Sequence, residues 1–322
     1  MVPRESGQCA RRAMRNSPEG ERGAWSAGRV RRVRPTVTAG VRRNAGCARV
    51  PCSTVLVASW NINSVRARTD RLLGWLDARR PDVVCLQELK GTDEQFPSDQ
   101  VRALGYHPVL FGQKSYNGVA ILARAEPERV ERGFLDGEDD AAARVVSATI
   151  AGVRVTSVYA PNGQAVGSPA YQQKLEWYGR FRRWLDVRHR PDQPLVVCGD
   201  FNVAPEERDV WDPRLWEGQT LFSLPERAAL KQATEFGLED TFRRLHPEPG
   251  RYSWWDYRML GFQKNRGLRL DHVYVTAPLL AQLQAAGIDR EARKGTQPSD
   301  HAPVWARFRR PGDPEAPTDR FE

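Results

Sequence analysis

The 322-residue chain is 40% hydrophobic, enough for a sizeable core, and no apolar run nears the roughly 18 residues a membrane-spanning helix needs. Its net charge of +9 looks like a polyanion-binding signature, but residues 1–53 alone hold 12 Arg against three Glu, which is +9. Residues 54–322 balance 37 basic against 37 acidic residues, so any phosphate-binding surface there must come from local clustering rather than bulk charge.

The leader 1–53 is rich in Arg, Gly, Ser and Ala without helical or strand periodicity, and is expected to be disordered. It has no apolar segment of a secretory signal. Three readings stay open: upstream sequence from a start assigned too early, a genuine basic tail, or an Arg-rich organellar transit peptide. The excess of 43 Arg over 6 Lys fits a GC-rich genome, which favours the first. From residue 54 short β-branched runs alternate with amphipathic segments. VLVASW (55–60) predicts a strand, TDRLLGWLDARR (69–80) a helix and DVVCLQE (82–88) a buried strand. VRVTSVYAP (153–161) predicts a strand, and residues 171–190 a helix with Leu175, Tyr178, Phe181 and Leu185 on one face. LVVCGDFN (195–202) reads as a second buried strand. Ser223 and Glu226 form a capping box with Pro225 in the first turn, so a helix starts there. LRLDHVYV (268–275) and APVWARF (302–308) are the last strands, and residues 310–322 a flexible tail. With no linker-like break, residues 54–309 read as one α/β domain, and its first two strand–helix–strand blocks look like two halves packed face to face.

Polar residues collect at the strand ends: Asn61 and Asn63, Glu88, Tyr159 and Asn162, Asp200 and Asn202, Asp271, and Ser299-Asp300-His301. Singly, each is more simply a cap, a turn former or a packed residue. Together they differ, because four separate strands each deliver a carboxylate and such a rim repels itself unless a cation joins it. Carboxylates and amides suit a hard ion such as Mg²⁺, and the five cysteines lack zinc-ligand spacing. Cys85 and Cys198 sit in apolar runs and read as buried thiols of a reducing compartment. Metal-assisted phosphoester hydrolysis needs a metal holder, a base for water and donors around phosphate oxygens. Glu88 suits the first role and Asp200 the second, while Asn61, Asn202, Tyr159 and His301 suit the third. Asp271 would hold His301 cationic.

SWNINSVRAR (59–68), PDVVCLQELK (81–90), GVAIL (118–122), YAPNG (159–163), GDFNVAP (199–205), YSWWDYR (252–258), NRGLRLDHVYV (265–275) and PSDHAPVW (298–305) closely resemble the exonuclease III family of abasic-site endonucleases. The resemblance spans about 55–309 in order and spacing. It implies a four-layered α/β sandwich of two mixed sheets flanked by helices, and a bacterial, cytoplasmic and nucleoid-associated Mg²⁺-dependent DNA repair nuclease for which Mn²⁺ could substitute. The oligomeric state is not readable from these residues, and monomer is the default. Its substrates would be double-stranded DNA with abasic sites or 3′ ends. Carried over position by position, Asn61, Glu88 and Asp300 match metal-site residues, with Asp200, Asn202 and His301 beside them. Asp200 matches the aspartate that activates water or protonates the leaving group, Tyr159 and Asn202 residues that position phosphate and nucleophile, and His301 with Asp271 the phosphate-contacting pair. Arg144 matches a DNA-backbone contact, and Trp254 and Trp255 match aromatics lining the pocket for a base-less deoxyribose. Lys264, Arg266 and Arg269 form a local basic patch for phosphates. Asn162, also on the DNA side, stands where many relatives carry Gln, and Trp255 where Phe is common. The balance of endonuclease and exonuclease action is therefore left open. The rival readings are a same-fold enzyme acting on RNA or a small phosphoester, and a non-catalytic DNA-binding scaffold.

Overall fold

The computed structural model describes residues 54–138 and 142–310; the Arg-rich leader and residues 311–322 lie outside the described residues. In chain order the described strands and helices are β1 (Thr54–Asn61), α1 (Thr69–Arg79), β2 (Val83–Gln87), α2 (Ser98–Ala103), β3 (His107–Phe111), β4 (Val119–Ala123), β5 (Pro127–Arg132), β6 (Val145–Ile150), β7 (Val153–Tyr159), α3 (Pro169–Arg188), β8 (Leu195–Asp200), α4 (Pro213–Trp216), α5 (Leu224–Thr234), β9 (Glu239–Asp240), α6 (Thr241–Leu245), β10 (Asp271–Val275), α7 (Ala277–Leu280), β11 (Leu283–Ile288) and β12 (Val304–Arg309).

Two six-stranded mixed sheets result, in the orders β11-β12-β1-β2-β4-β3 and β5-β6-β7-β8-β10-β9. Each holds one parallel pair joined through a helix: β1–α1–β2 in the first and β7–α3–β8 in the second. Parallel neighbours need such a crossover, which explains why the two sequence blocks resemble each other. β2 and β8 are buried along their whole length, as their unbroken apolar runs require. Val57, Cys85 and Ile121 of the first sheet pack with Val155, Val196, Cys198 and Val273 of the second in one core, so the sheets meet face to face. α1 and α2 cover the outer face of the first sheet through Leu72, Trp75, Leu76 and Val101, and α3 and α5 cover that of the second through Trp177, Phe181, Leu185 and Leu230. The layers are therefore helix, sheet, sheet, helix.

Local signals set the helix limits. Arg80 takes a left-handed backbone (φ 48°) after α1 and Pro81 follows, so the helix cannot continue. The Ser168 side chain caps α3 by accepting from the Tyr171 N–H at 3.2 Å, with Pro169 in the first turn. Ser223 and Glu226 form the expected capping box of α5. Three expectations need correction. β2 and β8 end one and two residues earlier than expected: Glu88 (φ 53°) and Asn202 (φ 50°) have left-handed backbone and lie just beyond the ladders. Leu268 lies outside β10, bridging instead to Val210 and Trp254. On α3 Leu175 is only half-buried, and Lys174 occupies the fully buried place beside it.

Candidate active site

Strand register brings the polar residues together. In the second sheet Tyr159 pairs with Asp200 across β7 and β8, and Asp200 pairs with Asp271 across β8 and β10. In the first, Asn61 pairs with Gln87 across β1 and β2, which sets Glu88 beside it. Gly199 permits the close approach of β7 to β8, since a Cβ there would lie 1.8 Å from the Val158 carbonyl oxygen. The Asn61 amide then spans the two sheets, donating to Glu88 Oε1 at 2.8 Å and to Asp200 Oδ2 at 2.9 Å.

His301 arrives from the loop before β12. Its Nδ1 lies 2.8 Å from Asp271 Oδ2 and its Nε2 3.7 Å from Asp200 Oδ2. Burial alone would hold this ring neutral, but Asp271 and Asp200 outweigh it and push its pKa up to about 10. The ring is thus a cation with Nε2 facing the site. Burial raises the Asp200 pKa to about 7; His301 opposes this, while Asp271 and Glu88 reinforce it. A carboxyl poised there exchanges protons near neutral pH, as a general base or acid must. Burial also disfavours ionised Glu88, but Lys90 and the Asn61 amide more than offset it, and its pKa lies below the ordinary glutamate value. Burial, Glu88 and Asp200 all push the Tyr159 phenol far up, so it stays a neutral donor.

Asn202 holds Asp200 from below: its backbone N–H donates to Oδ1 at 2.9 Å, and its Nδ2 lies 3.3 Å from Oδ2 and 2.9 Å from the Ala160 carbonyl. Asn162 donates to Asn202 Oδ1 at 3.2 Å. The Arg144 guanidinium lies 4.9 Å above the Tyr159 ring and donates to its carbonyl at 3.2 Å.

Glu88, Asp200 and His301 offer ligand atoms within 4.8 Å of one another, the geometry of a cation site. The two carboxylates fit a hard divalent ion, whereas a protonated His301 offers donors only and suits a phosphate oxygen better than a metal. Two other residues expected in that shell lie around it. Asn61 presents its nitrogen to the carboxylates while its Oδ1 accepts from the Asn63 N–H at 3.0 Å. Asp300 accepts from Asn63 Nδ2 at 2.8 Å and from Trp254 Nε1 at 3.1 Å, which fixes its carboxylate in the loop before His301.

The substrate face also needs correction. Trp255 is fully buried, donating to Asn265 at 3.3 Å, and belongs to the core; the half-buried Trp254 remains beside Asp300. Arg269 is fully buried between Asp209 (2.6 Å) and Asp240 (2.7 Å), so it cannot reach a DNA phosphate. Lys264 and Arg266 are exposed, as is Asn162. Two residues had no role in the sequence reading. Lys90 lies 2.7 Å from Glu88 Oε2 and donates to Asn63 Oδ1 at 2.6 Å, and its signal was its place two residues after the strand-end Glu88. Ser253 donates to Asp271 Oδ2 at 2.6 Å while accepting the Leu270 and Asp271 N–H groups, both at 3.0 Å; only its neighbour tryptophans had drawn notice.

Residues 58–301 match the model of the endonuclease/exonuclease/phosphatase family. The chain belongs to that family. It is 36% identical over 263 residues to exodeoxyribonuclease III of Haemophilus influenzae, covering 78% of this chain and 98% of that protein. A 3′-5′ exonuclease of Neisseria meningitidis has a similar structure (TM-score 0.76, 39% identity, 79% of this chain and all of that one). So does an AP endonuclease of Archaeoglobus fulgidus (TM-score 0.77, 37% identity, 79% and 99%). The four-layered fold and the reaction class, phosphodiester hydrolysis at a site able to hold a metal, follow for this family member.

Proposed function

We propose that this nuclease incises DNA on the 5′ side of abasic sites and removes nucleotides or blocking groups from 3′ ends, with Mg²⁺ as its ion. It is a DNA repair nuclease of the exodeoxyribonuclease III type. The observation that carries the reading is the His301–Asp271 pair set against Asp200: a fixed cation and a carboxyl of near-neutral pKa on one buried rim. His301 and neutral Tyr159 supply donors around non-bridging phosphate oxygens, where developing negative charge is held without solvent reorganisation, and Asn202 fixes Asp200 beside them. Asp200 takes the proton of the attacking water. Glu88 would hold the ion, which neutralises phosphate charge and leaves Asp200 free to take that proton.

Specificity for a lesion rests on Trp254, an aromatic wall beside Asp300 that would receive a flipped-out sugar lacking its base. Exposed Lys264 and Arg266 and partly exposed Arg144 supply phosphate contacts on a body without net charge. The free, buried thiols Cys85 and Cys198 fit a reducing compartment, and among the described residues no helix is long and apolar enough to cross a membrane. The test is a labelled duplex with one tetrahydrofuran abasic analogue, incubated with Mg²⁺ and then with EDTA. Incision 5′ to the analogue, lost in EDTA, is expected. Metal-dependent shortening from 3′ ends without incision would leave a dedicated exonuclease, and no action on either would overturn the proposal.

A further inference from the structure

Lys174 is the one lysine among the described residues buried without any exposed surface, and it sits on the inner side of α3 rather than on the substrate face. Its ammonium donates to the Asn202 carbonyl at 2.7 Å, to the Asn162 carbonyl at 3.1 Å and to Glu226 of α5. All three of its donors are therefore used. Glu226 is held in turn: its Oε1 accepts the Ser223 N–H and hydroxyl, each at 2.8 Å, and Ser223 Oγ lies 2.5 Å from the Tyr171 hydroxyl. The sequence makes room for this arrangement at Gly163, where a Cβ would come within 2.9 Å of Lys174 Cδ.

A buried ion pair is weak evidence for stability, since well-packed apolar residues often do as well. What apolar residues cannot do is grip two backbone carbonyls. The two gripped here belong to the loops after β7 and β8, and their side chains meet, Asn162 Nδ2 to Asn202 Oδ1 at 3.2 Å. Asn202 has left-handed backbone (φ 50°), a conformation that a non-glycine residue keeps only when its surroundings hold it.

We infer that Lys174 is a positioning residue: from behind the site it clamps the Asn162 and Asn202 carbonyls and so fixes the Asn202 amide against Asp200. The inference rests on the proposed role of Asn202 in the reaction. Lys174 itself touches no substrate. Its charge matters because it holds two carbonyls of adjacent loops and one carboxylate at a single point, so the loops keep one spacing.

The test is a double-mutant cycle read by single-turnover incision of the tetrahydrofuran duplex. Misplacing a reacting group by about 1 Å can cost about 10²-fold, so Lys174→Met is expected to lower the rate at saturating enzyme by about 10- to 100-fold, with KM little changed. In an Asn202→Ala background the same substitution should cost less than about twofold, because the group it positions is gone. Lys174→Met with Glu226→Leu removes both charges and should recover thermal stability without recovering the rate. An unchanged rate in Lys174→Met, equal losses in both backgrounds, or recovery of rate together with stability in the double variant would each overturn the inference. Should the unaltered protein fail to incise, the functional reading falls instead; should it incise while Lys174→Met does too, only the positioning role falls.

Discussion

Asp271→Asn isolates the feature on which the chemistry turns. The asparagine retains an oxygen for His301 Nδ1 but removes the negative charge. A hydrogen bond to a charged group contributes about 1.5–3 kcal/mol, and about 1.4 kcal/mol is one pKa unit, so the His301 pKa should fall by about 1–2 units. Starting from about 10, the alkaline limb of the rate profile then moves to about 8–9. The acid limb moves too. Asp271 is one of the charges that raise the Asp200 pKa, so while His301 remains cationic the loss of that charge shifts the limb to lower pH. The profile as a whole is displaced towards acid. Stability follows the same linkage: His301 has its pKa raised on folding, so its contribution is complete below about 6.5 and lost as pH rises through about 10. The variant should therefore be destabilised most at neutral and acid pH, with the gap to the unaltered protein narrowing in alkali. The assay is single-turnover incision between about pH 6 and 9.5 at fixed Mg²⁺ (above the unfolded carboxylate range and below Lys titration), with thermal melts alongside. A variant profile that is lower but keeps both limbs in place would refute the charge-coupled reading of His301.

Asp200→Asn should abolish turnover and yet raise the melting temperature in EDTA at pH 8. The Asp200 pKa is raised from 3.8 to about 7 on folding, so ionising it costs stability as pH climbs through that window, and the advantage should vanish near pH 4. Trp255→Ala should destabilise the fold by about 3–5 kcal/mol in chemical denaturation, as for a large buried side chain. Trp254→Ala should instead melt close to the unaltered protein and lose preference for the abasic duplex over an intact 3′ end; a uniform loss on both substrates would count against its lining the sugar pocket. Arg269→Ala leaves Asp209 and Asp240 short of a buried partner and should cost about 3–5 kcal/mol of stability. Arg266→Ala should leave stability alone and reduce the slope of log affinity against log salt by about 0.9, one phosphate contact, and an unchanged slope would remove it from the DNA face.

How much of this was legible from sequence depended on whether a residue's role follows from its own strand or from another segment. Glu88, Tyr159 and Asp200 were readable because each ends or follows an apolar strand, and strand ends in such sheets gather function. The capping box at Ser223 and Glu226 was readable for the same local reason. Arg269 misled because basic residues near a motif look alike until their partners are known. Asp209 and Asp240 come from 60 and 29 residues earlier in the chain, and their pairing withdraws the guanidinium from solvent. Trp254 and Trp255 are adjacent and chemically identical, yet extended backbone turns successive side chains to opposite sides, so one faces the Asp300 loop and the other the core. Pattern alone gave no means of choosing between them.

Lys174 and Glu226 show the deeper limit. On α3 a lysine among Leu175, Trp177 and Tyr178 reads as a charge at the edge of an apolar stripe, and Glu226 already had a sufficient explanation as the second half of a capping box. The capping box closed the question for Glu226, and nothing in the sequence marks Lys174. Only the packing of α3 on α5 shows that the carboxylate capping one helix also pairs with the buried ammonium of the other, and that this ammonium reaches through to the loops of the candidate active site. A residue serving two elements is invisible to any reading that takes elements one at a time. Support for catalytic side chains is commonly of this kind, since a group held within a fraction of an ångström needs partners whose own positions are fixed elsewhere in the fold.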